Sequence, residues 1–407
     1  MLDRFLNTDG YPDFFGVYED TLRDTHEQYV YSGTFFLDER YLDIINRELN
    51  VFPTIINELV EGAAIIREDS EAAEYALFVS KAMENRGRFA EYLPCFTFPD
   101  EYPFLPLLCF VPFFRSISGT FEKRGVPDDV ISATLRQFED CTYIYKLRFD
   151  RLGLNKRYFD WLQLYVDCRI LNISRLRFEL MESEDPVFLL ENRRTGERIA
   201  VMGKCTMNSS GRYAGTPPVF DNDSTFPTDF VETDEFYIAN PVSASGRCGK
   251  ETVRFAKNEY RILFRPGDCC LSVHIPDKGE LTEAACTESY LRAVEVFDRC
   301  FHEYEIKCFH CHSWMMAPEL SDLIRRDSKI VAFNRPYIKY PVETEGKDVL
   351  NFVFLLKFRT YEDLMENTSL QRALKRLYLS GQYLYEYGGL FPVSDVEAGK
   401  EEKEALS

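Results

Sequence analysis

Residues 271–276 read LSVHIP, 277–282 read DKGELT, and 307–314 read KCFHCHSW. Between the second and third blocks, CTESYLRAVEVFDRCF (residues 286–301) has apolar residues at helical spacing. LSVHIP alternates, with Ser272 and His274 on one face and Val273 and Ile275 on the other, and Pro276 ends the ladder because it has no N–H to donate. KCFHCHSW alternates too: Cys308, His310, His312 and Trp314 share one face, while Phe309, Cys311 and Ser313 share the other. The order is strand, glycine loop, helix, strand, short helix, with polar residues gathered at the strand ends, where ligands of α/β folds sit.

Working outward, residues 1–170 read as helical. Residues 41–59 and 71–83 carry helical spacing, and GVPDDVISATLRQFEDCTYIYKLRF starts with Pro127 and two acids suited to a helix N-terminus. RYFDWLQLYVDCRIL is expected to bury Trp161, Leu164, Tyr165 and Cys168. The period changes near Ile173, where RLRFELM alternates as a strand, and Thr195-Gly196 marks a turn between two more. EYRILF and CLSVHI read as a hairpin across Pro266-Gly267-Asp268, and NFVFLLKF (351–358) as a buried strand. The reading is α+β, with a helical domain at 1–170, a sheet domain at 171–392 and an acidic, frayed tail at 393–407.

The chain has 407 residues, 45% of them hydrophobic, enough to bury a substantial core. A formal charge of -19 disfavours nucleic acid as a partner. No apolar run reaches the roughly 20 residues of a membrane span. The twelve cysteines are irregularly spaced and the N-terminus has no signal-peptide core, so they read as reduced thiols of a soluble, cytoplasmic protein.

Four groups are candidates for chemistry. His274 at a strand end is a candidate base or anchor, the bland alternative being an imidazole tied to a nearby carbonyl. Glu179 shares a face with Arg175 and Arg177, as general base beside anion binders or as part of an ordinary ion-pair set. His310 and His312 form a His-x-His pair that could ligate zinc with Cys308 or His274, but no metal is expected from so short a motif. Ser313 is a candidate proton donor.

LSVHIP, the loop with CTESYLRAVEVF, CHSW and DSKIVAF together resemble the GNAT-like C-terminal domain of a family of bacterial acyltransferase-domain proteins. RGVPDDVISATLRQF, WLQLYV, RLRFELM and NTSLQRALKRLYLSG resemble its other blocks, and its N-terminal domain is helical. The resemblance implies a GNAT-like mixed, mostly antiparallel sheet with flanking helices, in which two strands splay. It implies acyl-CoA or acetyl-CoA as co-substrate, bound along Val273, His274 and Ile275, with its pyrophosphate at Lys278, Gly279 and Thr282. It further implies transfer of the acyl group to an amine-type small-molecule acceptor, with His274 or Glu179 as base and Ser313 protonating the leaving thiolate. The loop DKGELT departs from the family's Gln/Arg-x-x-Gly-x-Gly/Ala pattern. That departure keeps a second reading open, a non-catalytic module binding a small molecule or a partner. A metal-dependent hydrolase using His310 and His312 is the third.

Overall fold

The computed structural model describes residue 2 and residues 4–217, 224–355 and 358–398. The chain divides into two compact units, Met1–Asn172 and Ile173–Ser407. No helix among the described residues is long and apolar enough to cross a membrane.

The first unit is helical. Its long helices include Glu19–Ser32, Glu39–Leu49, Ile56–Glu68, Ser70–Ala82, Phe114–Arg124 and Gln137–Phe149. Local chemistry sets their ends. Asp38 accepts from the N–H groups of Arg40 and Tyr41, and Asp69 from those of Glu71 and Ala72, supplying acceptors to first-turn amides. The pattern at 41–59 is two helices rather than one, because Asn50 turns left-handed at φ 51 and Pro53 follows. Phe159–Val166 buries Phe159, Leu162 and Tyr165, so the stripe expected around Trp161, Leu164 and Cys168 is rotated: those three are only half-buried. The core of this unit is aromatic, with Phe78 stacked on Phe96 and Phe5 on Tyr75.

The second unit is built on a mixed, mostly antiparallel sheet. Its strands run in the order Leu176–Glu182, Cys269–His274, Cys308–Ser313, Tyr387–Pro392, Ile338–Pro341. Among these five strands, only Cys269–His274 and Cys308–Ser313 pair in parallel. The helix Glu283–Cys300 makes the crossover between these two, which parallel strands require. It packs on one face, where Tyr290 lies 4.8 Å from Phe309, 5.4 Å from Phe391 and 6.1 Å from Phe178, ring centre to ring centre.

A second sheet, in the order Tyr260–Phe264, Val187–Asn192, Arg198–Met202, Phe236–Pro241, Val231–Glu232, is inserted between the first two strands of the main sheet. Val187, Leu189, Ala200, Met202 and Phe264 from it form one core cluster with Cys270, Cys308, Tyr340 and Leu390 of the main sheet.

Two strand assignments made from sequence need correction. EYRILF and CLSVHI are not a hairpin: Tyr260–Phe264 pairs with Val187–Asn192, while Cys269–His274 pairs with Leu176–Glu182 in the other sheet. The turn between them is drawn aside by Ser183, whose O accepts from Gly267 N at 2.8 Å and whose N donates to Asp268 O at 3.0 Å. NFVFLLKF is not a strand either. Asp348–Phe352 is helical, because the buried Glu386 carboxylate accepts from Gly346 N and Asp348 N and starts the turn, and Leu355 then leaves at φ 57. Leu356 and Lys357 lie outside the described residues. Where fraying was expected from Val393, residues 393–398 are helical, Val396 is buried and Asp395 pairs with Arg198. The rest of that tail lies outside the described residues.

Candidate functional site

The two parallel strands pair over three positions, Cys270 with Cys308, Leu271 with Phe309 and Ser272 with His310, and then separate. Both continue: the first to His274, still paired with Leu176–Glu182 on its other side, and the second to Ser313, still paired with Tyr387–Pro392. Among the described residues the two arms pair no further than Ser272 and His310, and the sheet opens into a V. In such a V, main-chain donors and acceptors are available to an extended ligand lying between the arms.

Register decides what faces the opening. Ser272 stands opposite Glu179, and His274 opposite Arg177. His274 and Glu179 are thus diagonal neighbours on one face, and His274 Nε2 lies 3.1 Å from Glu179 Oε2. An ionised carboxylate only accepts, so this contact favours the tautomer with its proton on Nε2. The His274 side chain is 32% exposed and that of Glu179 12%, so the pair opens to solvent on the imidazole side. Two residues picked separately from sequence thus meet. Arg177 is buried on the same face.

The loop after the first arm is braced from beneath. Arg175 donates to the carbonyls of Pro276 at 2.8 Å and of Gly279 and Glu280 at 3.2 Å each. Gly279 sits at φ 84, which a side chain would strain. The N–H groups of Asp277, Gly279, Glu280 and Leu281 donate to no backbone carbonyl among the described residues. Thr282 caps the following helix, its hydroxyl accepting from Ala285 N at 3.2 Å, and Lys278 is exposed. Val273 is buried and Ile275 half-buried.

Ser313 is not brought to the dyad. It lies at the tip of the second arm on the helix-covered face, its Oγ accepting from Met315 N at 3.1 Å and its O–H left to donate. Tyr337, the tyrosine next downstream, is buried with its hydroxyl 2.6 Å from that of Tyr290.

His310 has a structural assignment that the sequence did not suggest. Its Nε2 lies 3.0 Å from Asp185 Oδ2 and 2.8 Å from the Tyr340 hydroxyl, which itself donates to Asp185 at 2.5 Å. Burial alone would raise the Asp185 carboxyl, but the hydrogen bond and charge of His310 and the Tyr340 hydroxyl outweigh it and hold it down to about 2. Asp185 was not a sequence candidate, because nothing in EDPVF marks it as the partner of a histidine 125 residues away. Among the described residues no group of three or more His, Cys, Asp or Glu side chains could hold a metal, and all twelve cysteines are free.

A cavity of about 440 Å³ lies by the segment that leads into Tyr387–Pro392, lined by Arg212, Glu319, Asp322, Leu377, Tyr383 and Tyr385 among others. Glu319 accepts from Arg212, Arg247 and the hydroxyl of Tyr387, the strand partner of Ser313.

Among curated proteins no sequence matches. Solved structures do match in fold. One is a mutant acyltransferase in complex with octanoyl-CoA, at 18% identity and TM-score 0.57 over 87% of this chain and 88% of that one. Another is an acyltransferase in complex with decanoyl-CoA and teicoplanin, at 18% identity and TM-score 0.57 over 86% and 87%. Residues 41–168 match the N-acyltransferase N-terminal domain, and residues 170–391, more than half of the chain, match the GNAT-like C-terminal domain. The chain therefore belongs to the family of proteins in which a GNAT-like C-terminal domain follows an N-acyltransferase N-terminal domain.

Proposed function

We propose that this protein is an acyl-CoA-dependent N-acyltransferase, with an amine-type small molecule as acceptor. The observation that carries the reading is the V between Cys269–His274 and Cys308–Ser313, with the His274–Glu179 pair on its open side. Structures of similar fold bind octanoyl-CoA, decanoyl-CoA and CoA, which supports the same class of donor here.

In this reading the pantetheine arm lies along the inner edge of the first arm at Val273, His274 and Ile275. The loop amides, Lys278, Gly279 and the helix beginning after Thr282 receive the pyrophosphate. Arg175 does the work that extra loop glycines would otherwise do: it holds the carbonyls on one side and leaves the amides of a one-glycine loop for the anion. His274 Nδ1 takes the proton of the attacking amine, and Glu179 stabilises the imidazolium that forms. The Ser313 hydroxyl hydrogen-bonds to the departing thiolate. The cavity lined by Arg212, Glu319 and Tyr385 is large enough for a small acceptor.

Titration calorimetry with acetyl-, octanoyl- and decanoyl-CoA, followed by thiol-release assays over a panel of amines, tests the proposal. Binding with turnover of at least one amine is expected. The absence of heat and of any thermal shift at millimolar acyl-CoA would remove it, and binding without turnover over a broad panel would leave a non-catalytic module.

A further inference from the structure

His312 is a residue of the opening to which the proposed reaction assigns no role. Ser272 is paired with His310, so two residues further His274 and His312 occupy corresponding positions on the two arms. In a parallel pair, corresponding residues point to the same face, and an unsplayed ladder would hold their backbones about 4.8 Å apart. The splay widens that gap and puts one imidazole on each lip of the V. The partner of His312 on the next strand is Gly388, which adds no side chain beside it and leaves room for the Tyr340 ring. A Cβ at Gly388 would meet the Tyr340 ring at 2.2 Å, so that position accepts no side chain.

His312 is exposed, yet its surroundings are dense enough to desolvate it. Both hold for a ring standing in a recess. Desolvation lowers its pKa below the usual imidazole value, Asp185 opposes this and His310 adds to it. The groups that face it are Asp185 and His310, whose ring centre lies 6.2 Å from that of His312. A neutral imidazole retains one N–H to donate, and neutral histidines can polarise carbonyl groups in this way.

We infer that His312 is a second catalytic imidazole, donating its ring N–H to the thioester carbonyl oxygen as that oxygen gains charge. The inference rests on the acyltransferase reading above. The amine lone pair attacks the carbonyl carbon, a C–N bond forms and the π pair moves onto the oxygen, where the His312 N–H meets it. The amine proton passes to His274 Nδ1. The C–S bond then breaks as the carbonyl reforms, and the thiolate takes that same proton back from His274. One proton moves in all, and His312 keeps its own.

The test compares wild type, His312→Ala and His312→Gln in the thiol-release assay with octanoyl-CoA and the best amine. Loss of one oxyanion donor predicts a fall in kcat of about 100- to 1000-fold in the alanine variant. The KM for acyl-CoA should change less than about threefold, because the contact strengthens only as charge develops. Glutamine, which keeps an N–H donor, should recover at least about tenfold over alanine, which a purely structural role would not produce. The acidic limb of the pH–rate profile should persist in both variants. His312 is exposed, so neither change should prevent folding. An alanine variant within twofold of wild type, a glutamine variant no better than alanine, or disappearance of the acidic limb would each overturn the inference. A wild-type protein that neither binds nor turns over acyl-CoA removes the acyltransferase reading and this inference together; one that turns over while His312→Ala is unaffected removes this inference alone.

Discussion

On one face of the main sheet, Phe178, Phe309 and Phe391 close around Tyr290 of the crossover helix. On the other, Glu179, Ser272, His274, His310 and His312 stand along the same strands. Each strand alternates, so both faces come from one stretch of sequence. The difference lies in what covers them. The helix seals the aromatic face along the strands, whereas the inserted sheet packs on Cys270, Cys308 and Leu390 and leaves the carboxyl ends of the arms open. A polar residue is buried and hydrogen-bonded where the insert reaches, as His310 is, and exposed beyond it, as His312 is.

Substitutions on the two faces should therefore fail in different ways. On the open side, His274→Ala should lower kcat/KM by about 100- to 10,000-fold with little change in melting temperature. Steady-state assays beside a thermal melt check this, and a large drop in Tm would assign His274 to the sealed kind of residue. On the helix side, Phe309→Ala should cost about 3–5 kcal/mol of stability, read by urea unfolding, with activity lost only as the fold is lost.

Asp185→Asn tests the border between the two regimes. The Asp185 carboxyl is held below its ordinary value, so it adds stability above about pH 4 that disappears as the pH falls towards 2. Wild type should exceed the variant by about 2 kcal/mol at neutral pH, and the gap should close in acid. A gap that stays constant down to pH 2 would contradict the assignment. The smallest effect is expected from Thr282→Ala, which removes the cap of the crossover helix and should cost about 1 kcal/mol. If the same loop holds a pyrophosphate, acyl-CoA affinity should fall as well, and calorimetry separates the two effects.

Much of this face was legible in the sequence. The alternation in LSVHIP and KCFHCHSW placed both arms, and RLRFELM placed the strand that supplies Glu179. What escaped was relational. Nothing local says that EYRILF pairs with FLLEN rather than with the strand that follows it, since Pro-Gly-Asp is as good a hairpin turn as any. A short apolar run such as NFVFLLKF fits a helix or a strand equally, and Glu386, 38 residues away, decided it by capping Asp348 N. The brace from Arg175 to the loop spans more than 100 residues and had no signal at all. His312 was read with His310 as a metal pair because the two share a face; that they lie on opposite sides of the insert's border is a property of packing.

The insertion also sets an order of events. Glu179 and His274 touch across 95 residues of chain, with a complete second sheet strung between them. Closing a flexible segment of that length costs about 4 kcal/mol of chain entropy, which no single contact between the two side chains would repay. Prior folding of the insert would shorten the effective loop and let its ends deliver the two strands to each other. In refolding experiments, helical signal should return well before activity, because the reacting groups are among the last parts of the molecule to meet.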